Sequence, residues 1–590
     1  RAWSVITVLG VVASVLTVAV LNWWVLWTVA LAGMLAMIAF DAINASQLSE
    51  QYGKRRSRFA LSRFLVPMVV IVVGGFLLLT GFALPGVRSA LPVEVAPSYQ
   101  LSWTVVRGVF SHNMLFGWGP ENFSLAFDKF GAGALANTQL ASFRFYDANA
   151  ELFNIAVHGG VVALVALLFL GWCVVQVLMR FGSAIGEDSV RGEAAAFATE
   201  ASGTLAALIA VGVALFLYPF NITILAIAFV LLALAGLVIG GGRSTVVDIE
   251  ERPMFSLGAS LGFIIGLILV LSGLYFTSVR YIADARYASA LAESTPQAAM
   301  DGIVKAIALN GSDDRFYRDG SQVALTLVAA ETSKPAGQTD TTKIQNLVAA
   351  AVQLAQRAVQ TSPEESLNWA NLGLVYQSLS GLVDNVEQLA ADAYAKASEL
   401  RPGDPTFDNS VGQMWLSRAD LVRQLANGST SAQFQQQYDA ALTNAVAAFQ
   451  KAIDKAPTYG LAIYNLGAAY DRQGQTTDAI KQLEKIAPYN TDQPTLMFEL
   501  GLLYIRANRH PDALTMMQRA VLLAPQYANA RWYLALLLEE KGDIQGALAQ
   551  LLEIQKTNPD NTALNDKITQ LQAGTRAIPP GKVIDNKPLQ

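Results

Sequence analysis

Long apolar segments dominate the first half of the chain. A helix that crosses a bilayer needs about 20 apolar residues, because each residue rises about 1.5 Å through a hydrocarbon core about 30 Å thick. Seven segments approach this length, and they predict a polytopic helical membrane domain over residues 1–278: about 3–21, 23–40, 64–84, 152–179, 202–218, 224–240 and 256–278.

A basic loop between the second and third apolar segments indicates the orientation of this domain. Short loops with an excess of Lys and Arg generally stay in the cytoplasm. Alternation of the helices then places loop 85–151 and all residues from 279 to 590 outside the cytoplasm. We therefore expect a multi-pass protein in contact with the lipid bilayer. The basic residues that carry this argument are Lys54, Arg55, Arg56, Arg58 and Arg63.

The second half of the chain repeats itself at a spacing of 34 residues. A small residue at a helix crossing, a helix-breaking turn and a second small residue are typical of tetratricopeptide (TPR) repeats. The pattern predicts a TPR solenoid over residues 361–575, a leading helical segment over 279–360 and an irregular tail over 576–590. The repeating pairs are Leu466-Gly467, Leu500-Gly501 and Leu534-Ala535, preceded at the same step by Tyr464, Phe498 and Trp532.

One repeat departs from this step. The unit from Val411 to Phe449 is lengthened by a Gly-, Ser- and Gln-rich insertion near residues 427–437. A stacked array leaves a concave surface that suits a protein or peptide partner. A scaffold that merely spaces or dimerises complexes is the alternative. The fold class predicted for the whole chain is all-α.

Charge is divided unevenly between the two halves. The chain has 41 basic and 46 acidic side chains, a net charge of −5. Residues 1–278 hold 14 of each kind, so the excess of acid lies entirely in the second half. With no extended basic face, a nucleic-acid partner is excluded. One cysteine, Cys173, and three histidines make a disulfide or a structural zinc site improbable, and we expect no metal and no cofactor.

The outer loop 85–151 carries the candidate chemistry. It contains Arg107 and Arg144, and arginine holds phosphate and pyrophosphate through bidentate, charge-assisted hydrogen bonds. It also contains the run from Gly117 to Pro120, in which glycine permits close approach of the backbone. A loop of this kind could cover a lipid-linked phosphate substrate. It could equally be a folded cap whose aromatic residues sit at the membrane interface.

Three motifs give the chain a resemblance to a known family. They are Trp103-x-x-x-Arg107, Leu115-Phe-Gly-Trp-Gly-Pro-Glu-Asn-Phe123, and Arg144-Phe-Tyr-Asp-Ala-Asn-Ala-Glu-Leu-Phe-Asn154 followed by Gly159-Gly160. Over about residues 60–240 the chain resembles the O-antigen ligase and polymerase superfamily of bacterial membrane proteins, whose members often carry a C-terminal TPR domain. The resemblance implies a GT-C-like fold in the bacterial cytoplasmic (inner) membrane. It also implies a metal-independent glycosyltransferase that takes a glycan from an undecaprenyl-pyrophosphate carrier.

The resemblance also implies roles for individual residues. Arg107 and Arg144 would neutralise the pyrophosphate as it leaves, and Trp103, Gly117, Gly119 and Asn122 would line the substrate site. Where the family has a histidine that acts as base on the acceptor hydroxyl, this chain has Asn149, whose amide takes no proton at neutral pH.

Other residues of the chain could supply that base. His112 lies in the loop, and Asp147 and Glu151, four residues apart, could share a helical face. The two acids could instead cap the helix that follows. His158 lies nine residues beyond Asn149 along the predicted helix, about 13 Å away at about 1.5 Å per residue.

Two hypotheses follow. In the first, the protein transfers or polymerises lipid-linked glycans at the outer face of the membrane while its TPR domain binds a partner. In the second, the family's histidine has been lost with the activity, and the protein is a membrane-anchored TPR scaffold of the cell envelope.

Overall fold

The computed structural model describes residues 2–52, 61–81, 95–136, 138, 140, 143–187, 193–240, 253–335, 337–383, 386–426 and 431–574. The basic residues Lys54, Arg55, Arg56 and Arg58, part of the insertion (427–430) and the tail 576–590 lie outside this set. The described residues form helices and no strand, which agrees with the all-α prediction. The chain divides into two compact units, which are described separately.

The first unit comprises Arg1–Gly131 and Arg144–Val270. Its helices are α1 (Ala2–Leu21), α2 (Trp24–Tyr52), α3 (Leu61–Thr80), α4 (Tyr99–Asn113), α5 (Phe123–Phe130), α6 (Glu151–Glu187), α7 (Glu193–Ala214), α8 (Ile222–Gly240) and the start of α9 (Pro253–Leu291). Among the described residues, three helical stretches are long and apolar enough to cross a membrane: Trp24–Ile43, Glu151–Gln176 and Ser256–Leu291. The other four predicted segments correspond to shorter apolar stretches, Leu9–Leu21, Phe64–Thr80, Ser202–Ala214 and Ile222–Leu237.

A polar residue fixes the turn between α1 and α2. Asn22 adopts a left-handed conformation with φ of 38°, and its Oδ1 accepts a hydrogen bond from Trp27 Nε1 at 2.8 Å. The Trp27 ring is buried, and a Cβ on Gly74 of α3 would lie 2.5 Å from it. Glycine at position 74 therefore lets α3 approach the indole.

The second unit comprises Ala132–Phe143 and Leu271–Gln590. Its further helices are α10 (Pro296–Leu309), α11 (Asp314–Thr332), α12 (Thr341–Thr361), α13 (Ser366–Ser378), α14 (Val386–Leu400), α15 (Pro405–Ala426), α16 (Ala432–Lys455), α17 (Gly460–Arg472), α18 (Thr476–Ile486), α19 (Pro494–Arg506), α20 (His510–Leu523), α21 (Ala528–Lys541), α22 (Ile544–Gln555) and α23 (Thr562–Gln572). The two units divide within α9, at Val270 and Leu271.

The repeating small residues lie where the two helices of a pair cross. A Cβ on Gly467 of α17 would lie 2.2 Å from Leu483 of α18, and one on Gly501 would lie 2.8 Å from Met517. The second small residues of the pattern, Ala479, Ala513 and Ala547, are fully buried. The 34-residue step therefore reflects close packing between paired helices, as the sequence predicts.

Candidate functional site

Helix α4 presents one buried and one exposed face. Ser98 caps its start, with Oγ accepting from Leu101 N at 3.1 Å. Ser102, Val105 and Val109 are buried, whereas Trp103 and Arg107 are exposed and lie one turn apart. Among the described residues, no carboxylate pairs with the guanidinium of Arg107. Arg107 is therefore available to a ligand.

The run from Gly117 to Pro120 packs against helix α6 where that helix is interrupted. At Gly160 the backbone has φ 59° and ψ −151°, a conformation essentially confined to glycine. Trp118 N and Gly119 N donate to Val157 O and His158 O, at 2.7 and 3.0 Å, on one side of the break. These hydrogen bonds replace some of the backbone hydrogen bonds that the helix loses at the break.

The other side of the break is satisfied in the same way. Val161 N and Val162 N donate to Met114 O and Leu115 O, at 2.9 and 3.1 Å. A Cβ on Gly117 would lie 2.4 Å from Val157 O, so this position also requires glycine. The two glycine motifs of the sequence thus form one backbone junction. Asn122 stabilises it by donating from Nδ2 to Trp118 O at 2.7 Å.

Acidic and amide side chains surround the start of α6. Asn149 N donates to Ser102 Oγ and Asn149 Nδ2 donates to Pro97 O, both at 3.0 Å. Glu151 Oε2 accepts from Phe220 N at 2.9 Å and from Asn154 Nδ2 at 3.2 Å. Both side chains are thus held by backbone groups of other elements. This favours a structural role for Asn149, and it ties Glu151 to the segment before α8. The capping interpretation of Glu151 stays a prediction.

Asp147 is held much less firmly. Asp147 is exposed, and its Oδ1 accepts a hydrogen bond from Asn154 Nδ2 at 3.3 Å. Asp147 also interacts electrostatically with His158. Of the candidate bases in the sequence, Asp147 and His112 are both exposed, and Asp147 is the one that interacts electrostatically with His158 of the glycine junction.

Arg144 differs sharply from Arg107. Its Nη2 lies 3.1 Å from Asp128 Oδ2 of α5, and the two side chains are only 8% and 2% exposed. The guanidinium also lies over the ring of Tyr146. Sequence analysis did not point to Asp128, because the 15 residues between the pair carry no regular pattern. The predicted role of Arg144 at pyrophosphate stays a prediction, and its observed partner is a buried carboxylate.

His112 and His158 also differ. His112 is exposed, with Nδ1 3.0 Å from both Ser111 Oγ and Gly108 O, and its ring lies beside Phe130. His158 has a buried Nε2 without a hydrogen-bond partner in the described part of the chain. The sequence interpretation placed His158 too far along a straight helix from Asn149 to replace it. Gly119 N donates to the backbone carbonyl of His158, and the charges of Asp147 and Glu121 act on this histidine. The break at Gly160 follows His158, so it leaves the separation between Asn149 and His158 along the helix unchanged.

A buried acid lies in the repeat array. Glu499 of α19 is 5% exposed, and its Oε2 has no hydrogen-bond partner among the described residues. Burial raises the pKa of Glu499 to about 7, although nearby Tyr464 and Arg472 favour the charged form. The corresponding positions of earlier repeats, 465 and 371, hold asparagine instead. Asn465 donates a hydrogen bond to Asn409, and Asn371 donates one to Ser321.

Glu499 is expected to make stability depend on pH. The folded state binds the proton of the Glu499 carboxyl more tightly than the unfolded chain does. The resulting contribution to the free energy of unfolding is complete below pH 4.5 and is lost as the pH rises through about 7. Above pH 7, the free energy of unfolding of Glu499→Gln should therefore exceed that of wild type by up to about 3 kcal/mol, and its unfolding temperature should be higher. At low pH the two proteins should unfold alike. Thermal unfolding across this range tests the difference, with exposed Glu293→Gln as control. Parallel curves for wild type and Glu499→Gln would contradict it.

Comparison with known proteins identifies the repeats. Profiles described as tetratricopeptide repeat match residues 435–497 and 498–562. The C-terminal part of this chain contains TPR repeats. Repeats of this kind generally bind protein or peptide partners. No curated protein matches the chain.

Several solved TPR structures are also similar to the chain. YrrB, described as a TPR protein with an unusual peptide-binding site, is 18% identical and has a TM-score of 0.29, with 37% of this chain and 99% of YrrB covered. PilW, described as a widely conserved type IV pilus biogenesis factor, is 18% identical with a TM-score of 0.29, covering 42% of this chain and 98% of PilW. The C-terminal part of a TPR protein from Cytophaga hutchinsonii is 14% identical with a TM-score of 0.35, covering 49% and 98%.

Proposed function

We propose that the protein transfers or polymerises glycans carried on undecaprenyl pyrophosphate at the outer face of a bacterial cytoplasmic membrane, and that its TPR domain binds a protein partner. The observation that carries this proposal is the glycine junction. It joins the motifs around Gly117 and Gly160, and Asp147 interacts electrostatically with His158 of this junction. The unit that holds it contains two of the membrane-length helices found among the described residues and the start of the third. Arg107 supports it, because it is exposed on α4, whose Ser102 bonds the motif residue Asn149.

The chemistry assigned to this site is one glycosyl transfer. The acceptor hydroxyl oxygen forms a bond to the anomeric carbon of the glycan, and the bond from that carbon to the pyrophosphate oxygen breaks. Arg107 stabilises the negative charge that the pyrophosphate gains as it leaves. The proton of the hydroxyl passes to the Asp147 carboxylate, which replaces the missing histidine as general base.

Substitution of Arg107 is the direct test. Arg107→Ala should reduce transfer of an undecaprenyl-pyrophosphate-linked oligosaccharide by about 10²–10³-fold in proteoliposomes, because one preorganised donor to a developing anion is removed. Asp147→Asn should lower the rate in the same assay and flatten its pH profile. Arg286→Ala, which removes an exposed arginine of α9, serves as the matched control. Normal transfer by folded Arg107→Ala would reject the assignment.

The second candidate function is a non-catalytic, membrane-anchored TPR scaffold of the cell envelope. It is favoured by the side chain of Asn149, an amide held by Pro97 O where the family's base would stand. It is also favoured by the TPR repeats themselves. This function predicts that Arg107→Ala and Asp147→Asn leave surface glycan unchanged, whereas deleting the repeats removes a partner from complexes isolated with the full chain.

A further inference from the structure

The lengthened repeat contains a charged cavity. Helix α15 has 22 residues, whereas the first helices of neighbouring repeats, α13, α17 and α19, have 13 each. Its additional turns carry Asp420, Arg423 and Gln424. Together with Arg472 at the end of α17, these side chains line an open cavity of about 440 Å³. The cavity therefore exists because this one repeat is longer than the others.

Arg472 is fixed in the wall of this cavity. Its Nε and Nη2 donate to Asp420 Oδ1 and Oδ2, at 3.0 and 2.9 Å, a bidentate geometry. The Arg472 side chain is 6% exposed, and its backbone carbonyl accepts from the Tyr438 hydroxyl at 3.2 Å. Arg472 is thus a preorganised, buried cation whose charge the Asp420 carboxylate balances.

Arg423 is placed differently. Its Nη2 reaches the same Asp420 Oδ1 at 3.3 Å, and 48% of its side chain is exposed. The cavity therefore holds two guanidinium groups and one carboxylate, an excess of one positive charge. Guanidinium offers five N–H donors, so Arg423 retains donors for a further carboxylate.

We infer that this cavity binds a carboxylate of an acidic, extended segment of a partner protein. The charge excess selects an anion, and the planar fork of Arg423 matches a carboxylate. The open cavity lies at the end of the first helix of a repeat, within an array of a kind that binds peptide segments. The inference rests on the proposed role of the repeats in partner binding and is separate from the loop chemistry.

A pair of matched probes tests this inference on the full chain in lipid nanodiscs. The probes are a fluorescein-labelled octapeptide of alternating Glu and Ser and its Gln–Ser counterpart, and anisotropy reports the Kd of each. The Glu peptide should bind about tenfold more tightly, as expected for a charge-assisted hydrogen bond. Arg423→Ala should abolish that preference, whereas exposed Arg357→Ala should leave it intact.

A second variant separates binding from mere folding. Asp420→Asn removes the carboxylate that competes for Arg423, so it should tighten binding of the Glu peptide although it weakens an internal ion pair. Equal affinity for the two probes, absence of binding, or a preference that survives Arg423→Ala would each overturn the inference. Displacement of the peptide by equimolar inorganic phosphate would also overturn it, by showing a site for small anions. None of these outcomes depends on glycan transfer, which the Arg107 variants report independently.

Discussion

Arg144→Ala is expected to lower the free energy of unfolding by about 3–5 kcal/mol. The substitution removes the cation that lies 3.1 Å from Asp128, whose carboxylate is only 2% exposed. A buried charge that loses its partner keeps its full desolvation penalty, whereas its compensation is gone. Thermal unfolding of the purified protein in detergent measures the loss, and Arg107→Ala, at an exposed arginine of the same loop, is the matched control.

The double variant Arg144→Ala with Asp128→Ala sharpens this test. Removing both charges leaves a cavity but no unpaired ion, so it should cost less than Arg144→Ala alone. If Arg144→Ala unfolds like wild type and only transfer is lost, the arginine acts on substrate as the sequence first suggested. A large loss of stability would mean that Arg144 stabilises the fold of the loop. Arg107 would then be the arginine that contacts pyrophosphate.

Gly160→Ala is expected to destabilise the first unit by at least about 3 kcal/mol. The added Cβ would lie 2.5 Å from Met114 O, 2.6 Å from Leu115 O and 2.7 Å from Gly117 N. All three are backbone atoms that cannot rotate away, and the conformation at Gly160 is one that alanine avoids. The unfolding temperature in detergent and the yield of folded protein report the effect.

The same helix supplies the control for this prediction. Gly171 lies in the regular part of α6, and a Cβ there meets nothing within 4 Å. Gly171→Ala should therefore leave stability unchanged or raise it by about 1 kcal/mol, since alanine favours helix over glycine. Equal effects of the two substitutions would contradict the glycine junction, because both would then act through helix propensity alone.

The repeat array illustrates what the pattern of residues predicts well. Gly467 and Leu483 lie 16 positions apart, and the next repeat offers Gly501 and Met517 at the same separation. Such contacts recur because each helix pair packs only against its neighbours, so local spacing is enough to infer them. Apolar helices are predicted equally well, because a run of apolar residues is a local property of the chain: all seven predicted segments coincide with apolar helices, three of which are of membrane-crossing length among the described residues.

The candidate site illustrates the opposite case. Sequence alone brought Arg107, Arg144, Asn149 and Glu151 to attention, but it gave the two arginines the same role. Only the tertiary structure separates them, because burial against Asp128 depends on where α5 lies in the fold. It also places the backbone of His158 against Gly119, a contact that spacing along the chain does not reveal.

The amino-acid sequence by itself thus determined the apolar helices, the repeat step and the residues of the glycine motifs, because each depends on neighbours along the chain. Tertiary structure decided which arginine is exposed, which acid is exposed and where the lengthened repeat opens a cavity. These properties depend on atoms that are distant in sequence, such as Asp420 and Arg472, whose pairing lies 52 positions apart. Burial and charge pairing arise only when such atoms are brought together.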